Sequence, residues 1–250
     1  MIAYITGATS GFGRACAKRL AKLGYDVILN GRRKELLASL GQEIEDKYGV
    51  HVWLANYDVR ELDAVKQSVA DLPASWQAID VLINNAGLAV GLTNIQDGDF
   101  DDWNRMIDTN IKGLLYVTRL ISPLMIARGK GHIINIGSVA GKDVYGGGNV
   151  YCATKHAVDA LNKAMRIDML AYGVKVSQIA PGAAETEFSI VRFKGNKEAA
   201  DKVYEGYKPL TEEDIADAVE YLVKLPPHVC VNDLIITSLN QANASIIHKK

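Results

Sequence analysis

An α/β fold with a doubly wound parallel sheet, helices covering both faces, is predicted by three features of the sequence. Seven short apolar runs rich in Ile and Val recur along the chain: IAYIT, DVILN, VWLAN, DVLIN, HIINIG, VKVSQIA and LIITS. Longer stretches with apolar residues three or four apart lie between them and carry the helical period. No repeat, low-complexity segment or Pro/Gly/Ser-rich linker divides the chain, so a single domain over residues 1–250 is expected. Strands separated by helices pair in parallel. Such a sheet buries both faces, so its strands read as fully buried runs rather than as alternating ones.

The composition narrows the function classes. Hydrophobic residues make up 48% and charged residues 23%, enough for a core. The net charge of −1 gives no reason to expect a nucleic acid or a membrane surface as partner, so any electropositive site must be local. Cys16, Cys152 and Cys230 are widely spaced and form neither a disulfide framework nor a CxxC zinc pattern. The five histidines show no close pair at ligand spacing, and no metal is expected. The chain opens on a strand with no leader-like segment and no apolar run of about 18 residues, which makes a cytoplasmic location the expectation.

The elements follow in order. The first strand runs into TGATSGFG, which places Gly7, Gly11 and Gly13 between strand and helix. Glycines there permit a tight turn and close approach of a pyrophosphate, and the helix start supplies free N–H groups. In the first helix Phe12, Cys16, Leu20 and Leu23 share a face, and Gly24 can end it as a left-handed cap. The second strand ends at Asn30, followed by Gly31, Arg32 and Arg33, where a dinucleotide fold usually carries an acid for the ribose hydroxyl. Without that acid a 2′-phosphate is not repelled. Gly31 leaves room for it, and Arg32 and Arg33 can meet it with charge-assisted hydrogen bonds. Asp26 and Glu35, the nearby acids in sequence, are poorly placed to interfere. NADP is therefore the expected cofactor.

The fourth strand ends in NNAG (Asn84–Gly87) and the sixth in APG (Ala180–Gly182), where glycine lets the chain pass close to a ligand. Asn110 falls inside the helical run MIDTNIKGLLYV, a setting that usually marks a polar face. Ser138 ends the fifth strand, where its hydroxyl could hold a substrate oxygen. Residues 139–150 are glycine-rich, and residues 182–208 carry mixed charge after a strand; loops at that edge are natural lids. In YCATKHAVDALNKAM, Tyr151 and Lys155 are four apart and share a helix face. A held ammonium near the phenol favours phenolate, which lets the tyrosine move the proton that accompanies hydride transfer at a carbonyl carbon. His156, one step further along, is turned off that face.

TGATSGFG, NNAG, Asn110, Ser138, YxxxK and PG, in this order and spacing, resemble the short-chain dehydrogenase/reductase family over essentially the whole chain. The resemblance implies a single-domain Rossmann fold with seven parallel strands in the order 3-2-1-4-5-6-7, in a homotetramer. It implies Tyr151 as acid/base, Ser138 polarising the carbonyl, Lys155 binding the nicotinamide ribose, and Asn110 holding a water in a proton relay to Lys155. It further implies that Gly7, Ala8, Thr9, Ser10, Gly11 and Phe12 line the pyrophosphate, with Gly13 in the same motif. Asp58 and Val59 would meet the adenine, Asn85 would lie near the adenosine ribose, and the stretch from Pro181 through Gly182 and Thr186 to Ser189 would cover the nicotinamide.

TEFSIVRFKGN (186–196), GGNVYCATK (147–155) and LPPHVCVNDL (225–234) are similar to one branch, the NADP-dependent 3-hydroxy acid dehydrogenases. That branch oxidises L-serine and L-allo-threonine and interconverts malonic semialdehyde with 3-hydroxypropionate. Arg192 and Lys194, in a lid at about 183–208, suit a substrate bearing a carboxylate. Asn196 and Cys152 depart from the branch and leave substrate preference open, and the tail 238–250 is expected to serve a subunit contact. The alternatives are a 3-oxoacyl-carrier-protein reductase or general carbonyl reductase and, in another class, a non-catalytic NADP-sensing regulator.

Overall fold

The structure, a computed structural model, describes residues 1–250. Its strands are β1 (Ile2–Ile5), β2 (Asp26–Asn30), β3 (Val52–Ala55), β4 (Ile79–Asn84), β5 (Gly131–Ile136), β6 (Val174–Pro181) and β7 (Asp233–Ile236). The helices are α1 (Gly11–Lys22), α2 (Lys34–Tyr48), α3 (Leu62–Ala70), α4 (Phe100–Ile107), α5 (Leu114–Arg128), α6 (Asn149–Met169), α7 (Glu187–Arg192), α8 (Lys197–Lys202) and α9 (Glu212–Val223). All strand pairs are parallel, in the order β3-β2-β1-β4-β5-β6-β7. The chain therefore leaves β1 toward one edge and returns to β4 on its other side. That reversal opens a crevice at the carboxyl ends of β1 and β4.

Two hydrophobic cores flank the sheet, and strand residues alternate between them. Ala3, Ile5, Val27, Leu29, Val81 and Ile83 enter a core of 25 buried residues shared with α1, α2 and α9. Ile2, Tyr4, Ile28, Leu82 and Ile133 enter one of 19 shared with α3, α5 and α6. Both faces are covered, so the inner strands have no polar face to show. The edge strands correct the expectation of full burial: Leu54 in β3 and Ile235 in β7 are exposed, because each edge strand has a neighbour on one side only. No helix is long and apolar enough to cross a membrane.

Asn110 corrects a second expectation. Residues 108–113 between α4 and α5 form a π-helical turn, and Asn110 is buried there rather than on a polar face. Its Oδ1 accepts from the Leu88 N–H, while Nδ2 donates to the Leu88 carbonyl and to Thr154 Oγ1. The wider turn rotates the amide inward, where it ties the chain beyond β4 to α6.

Gly13 lets α1 lie against the β1 turn. A Cβ there would sit 2.3 Å from the Gly7 carbonyl oxygen, inside any permitted contact. Gly13→Ala should cost about 1–3 kcal/mol through overpacking, a fall of roughly 3–10 °C in the thermal midpoint. Differential scanning calorimetry checks this.

The tail folds back on its own chain. The Gln241 carbonyl oxygen Oε1 accepts from Ala183 N–H, and the Lys250 N–H bonds the Gly206 carbonyl. The tail thereby braces the segment from β6 to α9, a contact within one chain that the expectation of a subunit contact does not include.

Candidate active site

A cleft of about 500 Å³ lies across the strand ends. Its floor is the β1–α1 turn, with Gly7, Thr9, Ser10, Gly11 and Phe12 among the lining residues. Ser10 precedes α1 in extended conformation, with its side chain making no capping bond, and the first turn of α1 has no acid. The turn thus offers N–H groups to an anion. Ala8 and Gly13 do not line the cleft: both are buried, the Ala8 N–H is bonded to the Asn30 carbonyl, and a Cβ on Gly13 would run into the Gly7 carbonyl. They shape the turn. Asn85 lines the cleft while donating to the Thr6 and Gly7 carbonyls, which locks the β4 end onto the glycine turn. A Cβ on Gly87 would lie 3.3 Å from Asn110 Oδ1 and 3.6 Å from Lys155 Nζ, so the chain beyond β4 passes close to both side chains.

At the end of β2, Asn30 is fully engaged inside, donating to the Ala55 and Tyr57 carbonyls. Arg32 and Arg33 line the cleft and are exposed. Two acids distant in sequence reach them. Arg32 lies 3.4 Å from Asp58, and Arg33 NH1 lies 3.0 Å from Glu187. Asp58, expected at the adenine, is also held by Arg60 at 2.7 Å, and the arginine partners keep its carboxyl below the usual range despite partial burial. Val59 lines the same end and packs against Gly113.

At the other end α6 presents Tyr151 and Lys155 on one buried face, and both line the cleft. Ser138, at the end of β5, accepts from the Ala140 N–H, lies 3.4 Å from the Pro181 carbonyl, and its hydroxyl favours the Tyr151 phenolate. Lys155 Nζ donates to the Ile136 carbonyl at 2.9 Å and lies 6.0 Å from the centre of the Tyr151 ring. Burial brings the ammonium down to about 8. Burial also raises the Tyr151 phenol, opposed by Ser138 and Arg192. Here the protein's own groups depart from expectation: Lys155 is turned to a carbonyl, and desolvation outweighs the neighbours that favour phenolate. Asn110 sits behind Gly87 with both amide hydrogens engaged, so its side chain has no donor left for a water.

The segment expected as a lid comprises α7 and α8. Thr186 accepts from the Phe188 N–H at the start of α7 and lies over Gly11. Pro181 and Gly182 line the cleft beneath it. Arg192 ends α7 with its guanidinium 5.1 Å from the Tyr145 ring centre and 5.9 Å from that of Tyr151, and its Nε is buried without a partner. Lys194 does not join it. Its Nζ pairs with Asp102 at 2.6 Å, which pins the lid to α4 and turns the charge away from the cleft.

Several lining residues escaped the sequence reading. Tyr145 walls the Tyr151 ring, beside Phe188, which lies within the stretch expected over the nicotinamide and sits 5.6 Å from that ring, and Tyr204 braces Ser189 and the Ala184 carbonyl. Gln241, Ala244 and Ile247 bring the tail into the wall. For Tyr145 a signal existed: a lone aromatic in a glycine-rich loop between two active-site motifs.

Residues 1–197 match the family described as short chain dehydrogenase. The chain belongs to that family. As a short-chain dehydrogenase it is an oxidoreductase of the CH–OH class. It is 47% identical over 251 residues to the NADP-dependent 3-hydroxy acid dehydrogenase YdfG of Salmonella typhi, covering 100% of both chains. It is 46% identical over 242 residues to sulfoacetaldehyde reductase 2 of Chromohalobacter salexigens, covering 96% of this chain and 95% of that one. Among solved structures, the closed form of serine dehydrogenase complexed with NADP+ superposes with a TM-score of 0.93 at 44% identity, covering 100% of both chains.

Proposed function

We propose that this short-chain dehydrogenase interconverts a small 3-hydroxy acid and its 3-oxo acid with NADP(H), with L-serine, L-allo-threonine and 3-hydroxypropionate as candidate alcohols and malonic semialdehyde as a candidate oxo acid. The observation that carries this reading is Arg192: a half-buried cation beside Tyr151, with one N–H unpartnered and no acid against it. A guanidinium there offers a planar fork to a carboxylate. The names of the similar proteins, a 3-hydroxy acid dehydrogenase and a serine dehydrogenase, support it.

The residues fit a phosphorylated dinucleotide. Gly7 and Gly87 leave no side chain in the passage, the α1 turn offers N–H groups, and Arg32 and Arg33 supply charge for a 2′-phosphate. NADP(H), when bound, supplies the hydride acceptor or donor. Ser138 holds the substrate oxygen, and Tyr151 takes its proton during oxidation or returns it during reduction. Lys155 and Asn110 position that pair, while Phe188 and Tyr145 exclude water from the phenol. Arg192 fixes the acid end of the substrate, which sets the carbinol carbon against Tyr151.

Arg192→Ala should raise KM for 3-hydroxy acids by about 10–100-fold, the loss of one charge-assisted pair, and leave neutral alcohols nearly unaffected. Steady-state kinetics on both classes checks this, and an equal loss on both would mean the arginine only shapes the lid. A second reading is a short 2-hydroxy sulfonate. The similarity to a sulfoacetaldehyde reductase favours it, and the same unpaired guanidinium can take a sulfonate. Sulfoacetaldehyde and malonic semialdehyde compared side by side as substrates decide between them.

A further inference from the structure

We infer that Glu187 is a specificity-determining residue for the cofactor: it shares Arg33 with the 2′-phosphate and so limits how strongly the cleft prefers NADP over NAD. The inference rests on the reading that Arg33 meets that phosphate.

Within the protein every guanidinium nitrogen of Arg33 is engaged. Nε and NH2 lie 3.2 and 3.1 Å from Thr9 Oγ1, and NH1 lies 3.0 Å from Glu187 Oε2. Thr9 is neutral and belongs to the glycine turn. Glu187 is a full negative charge, carried on α7 from the opposite wall, 154 positions away in sequence. Its neighbour Thr186 stands over Gly11, 3.5 Å from where a Cβ would be, so this contact spans the cleft mouth above the phosphate-binding turn. Arg32 has its own acid in Asp58, which Arg60 also neutralises. Glu187 has no cation other than Arg33 within ion-pair distance.

A phosphate dianion bonded to Arg33 must stand beside the Glu187 carboxylate. Either the carboxylate yields its bond, or two anions share one cation. Both outcomes weaken NADP binding relative to NAD, because NAD carries no charge to that place. Arg33 and Glu187 are both exposed, so the effect is modest and screened by salt. Glu187→Gln keeps the shape and a hydrogen-bonding oxygen and removes only the charge.

Equilibrium titration of the wild type and E187Q with NADP+ and with NAD+ by isothermal calorimetry, without substrate, reads the ratio directly. The expected result is about a five-fold tightening for NADP+ at low ionic strength and no change for NAD+. The gain should fade at about 1 M salt, where the screening length is about 3 Å. If both cofactors shift by the same factor, Glu187 is only a latch between lid and β2, and the inference is overturned; it is equally overturned if neither shifts. Arg33→Ala, titrated alongside, separates the two levels. Weakened NADP+ binding in R33A with no selectivity change in E187Q removes Glu187 alone. Unchanged NADP+ binding in R33A removes the phosphate assignment and the inference with it.

Discussion

Tyr151→Phe will lower turnover by about three orders of magnitude in both directions, within the range for losing a positioned acid/base. The dinucleotide affinity will hardly change. Phe keeps the ring that packs on Phe188 and under Arg192, so the wall of the cleft survives. Only the hydroxyl is lost. Turnover followed at 340 nm (the reduced-nicotinamide band), with calorimetric titration of NADP+, separates the two effects, and near-normal turnover would end the acid/base assignment. A pH profile extends the test. Burial holds Lys155 at about 8 and raises the Tyr151 phenol, so the Tyr–Lys pair gives up its first proton near pH 8. Oxidation requires a pair able to accept the substrate proton. Its kcat/KM should therefore rise with pH up to about 8 and level above, with the reduction direction falling over the same range. Tyr151→Phe should leave that midpoint in place, since the group titrating near 8 is Lys155, and lower the rate on both sides of it.

The strands were legible because each is short, apolar and bounded by turns; all seven runs lie within a residue or two of the observed bounds. Parallel pairing follows from the helices between them. The glycine turn, Ser138 and the Tyr151–Lys155 face were legible because they are local, resting on spacings of a few residues. What sequence could not show depends on contacts between distant positions. Asn110 reads as helix surface until Leu88 and Thr154 close around its amide. Arg192 and Lys194 look alike, two residues apart, yet one faces Tyr151 and the other pairs with Asp102. The short α7 ends between them, and the positive φ of Lys194 turns the chain. The tail was invisible as a wall because Gln241 reaches Ala183 across 58 positions.

Replacing Arg32 and Arg33 together with alanine should weaken NADP+ binding by about 10²–10³-fold, as expected for two charge-assisted contacts to a phosphate, and leave NAD+ binding within a few-fold. The asymmetry follows from the wall they occupy. No acid stands at the end of β2 to hold a 2′-hydroxyl, and Asn30 is turned inward to the Ala55 and Tyr57 carbonyls. NAD+ therefore gains little from this corner and has little to lose. The double variant leaves Asp58 with Arg60, a bidentate partner on its own loop, so the adenine end keeps its shape. It frees Thr9 and Glu187 at the same time. An unpaired Glu187 beside the phosphate position then adds repulsion to the lost attraction, which places the double variant toward the upper part of that range. Dissociation constants for both cofactors at two ionic strengths check the assignment. Equal losses for NADP+ and NAD+ would show that the arginines support the fold of the β2 corner and do not choose the cofactor.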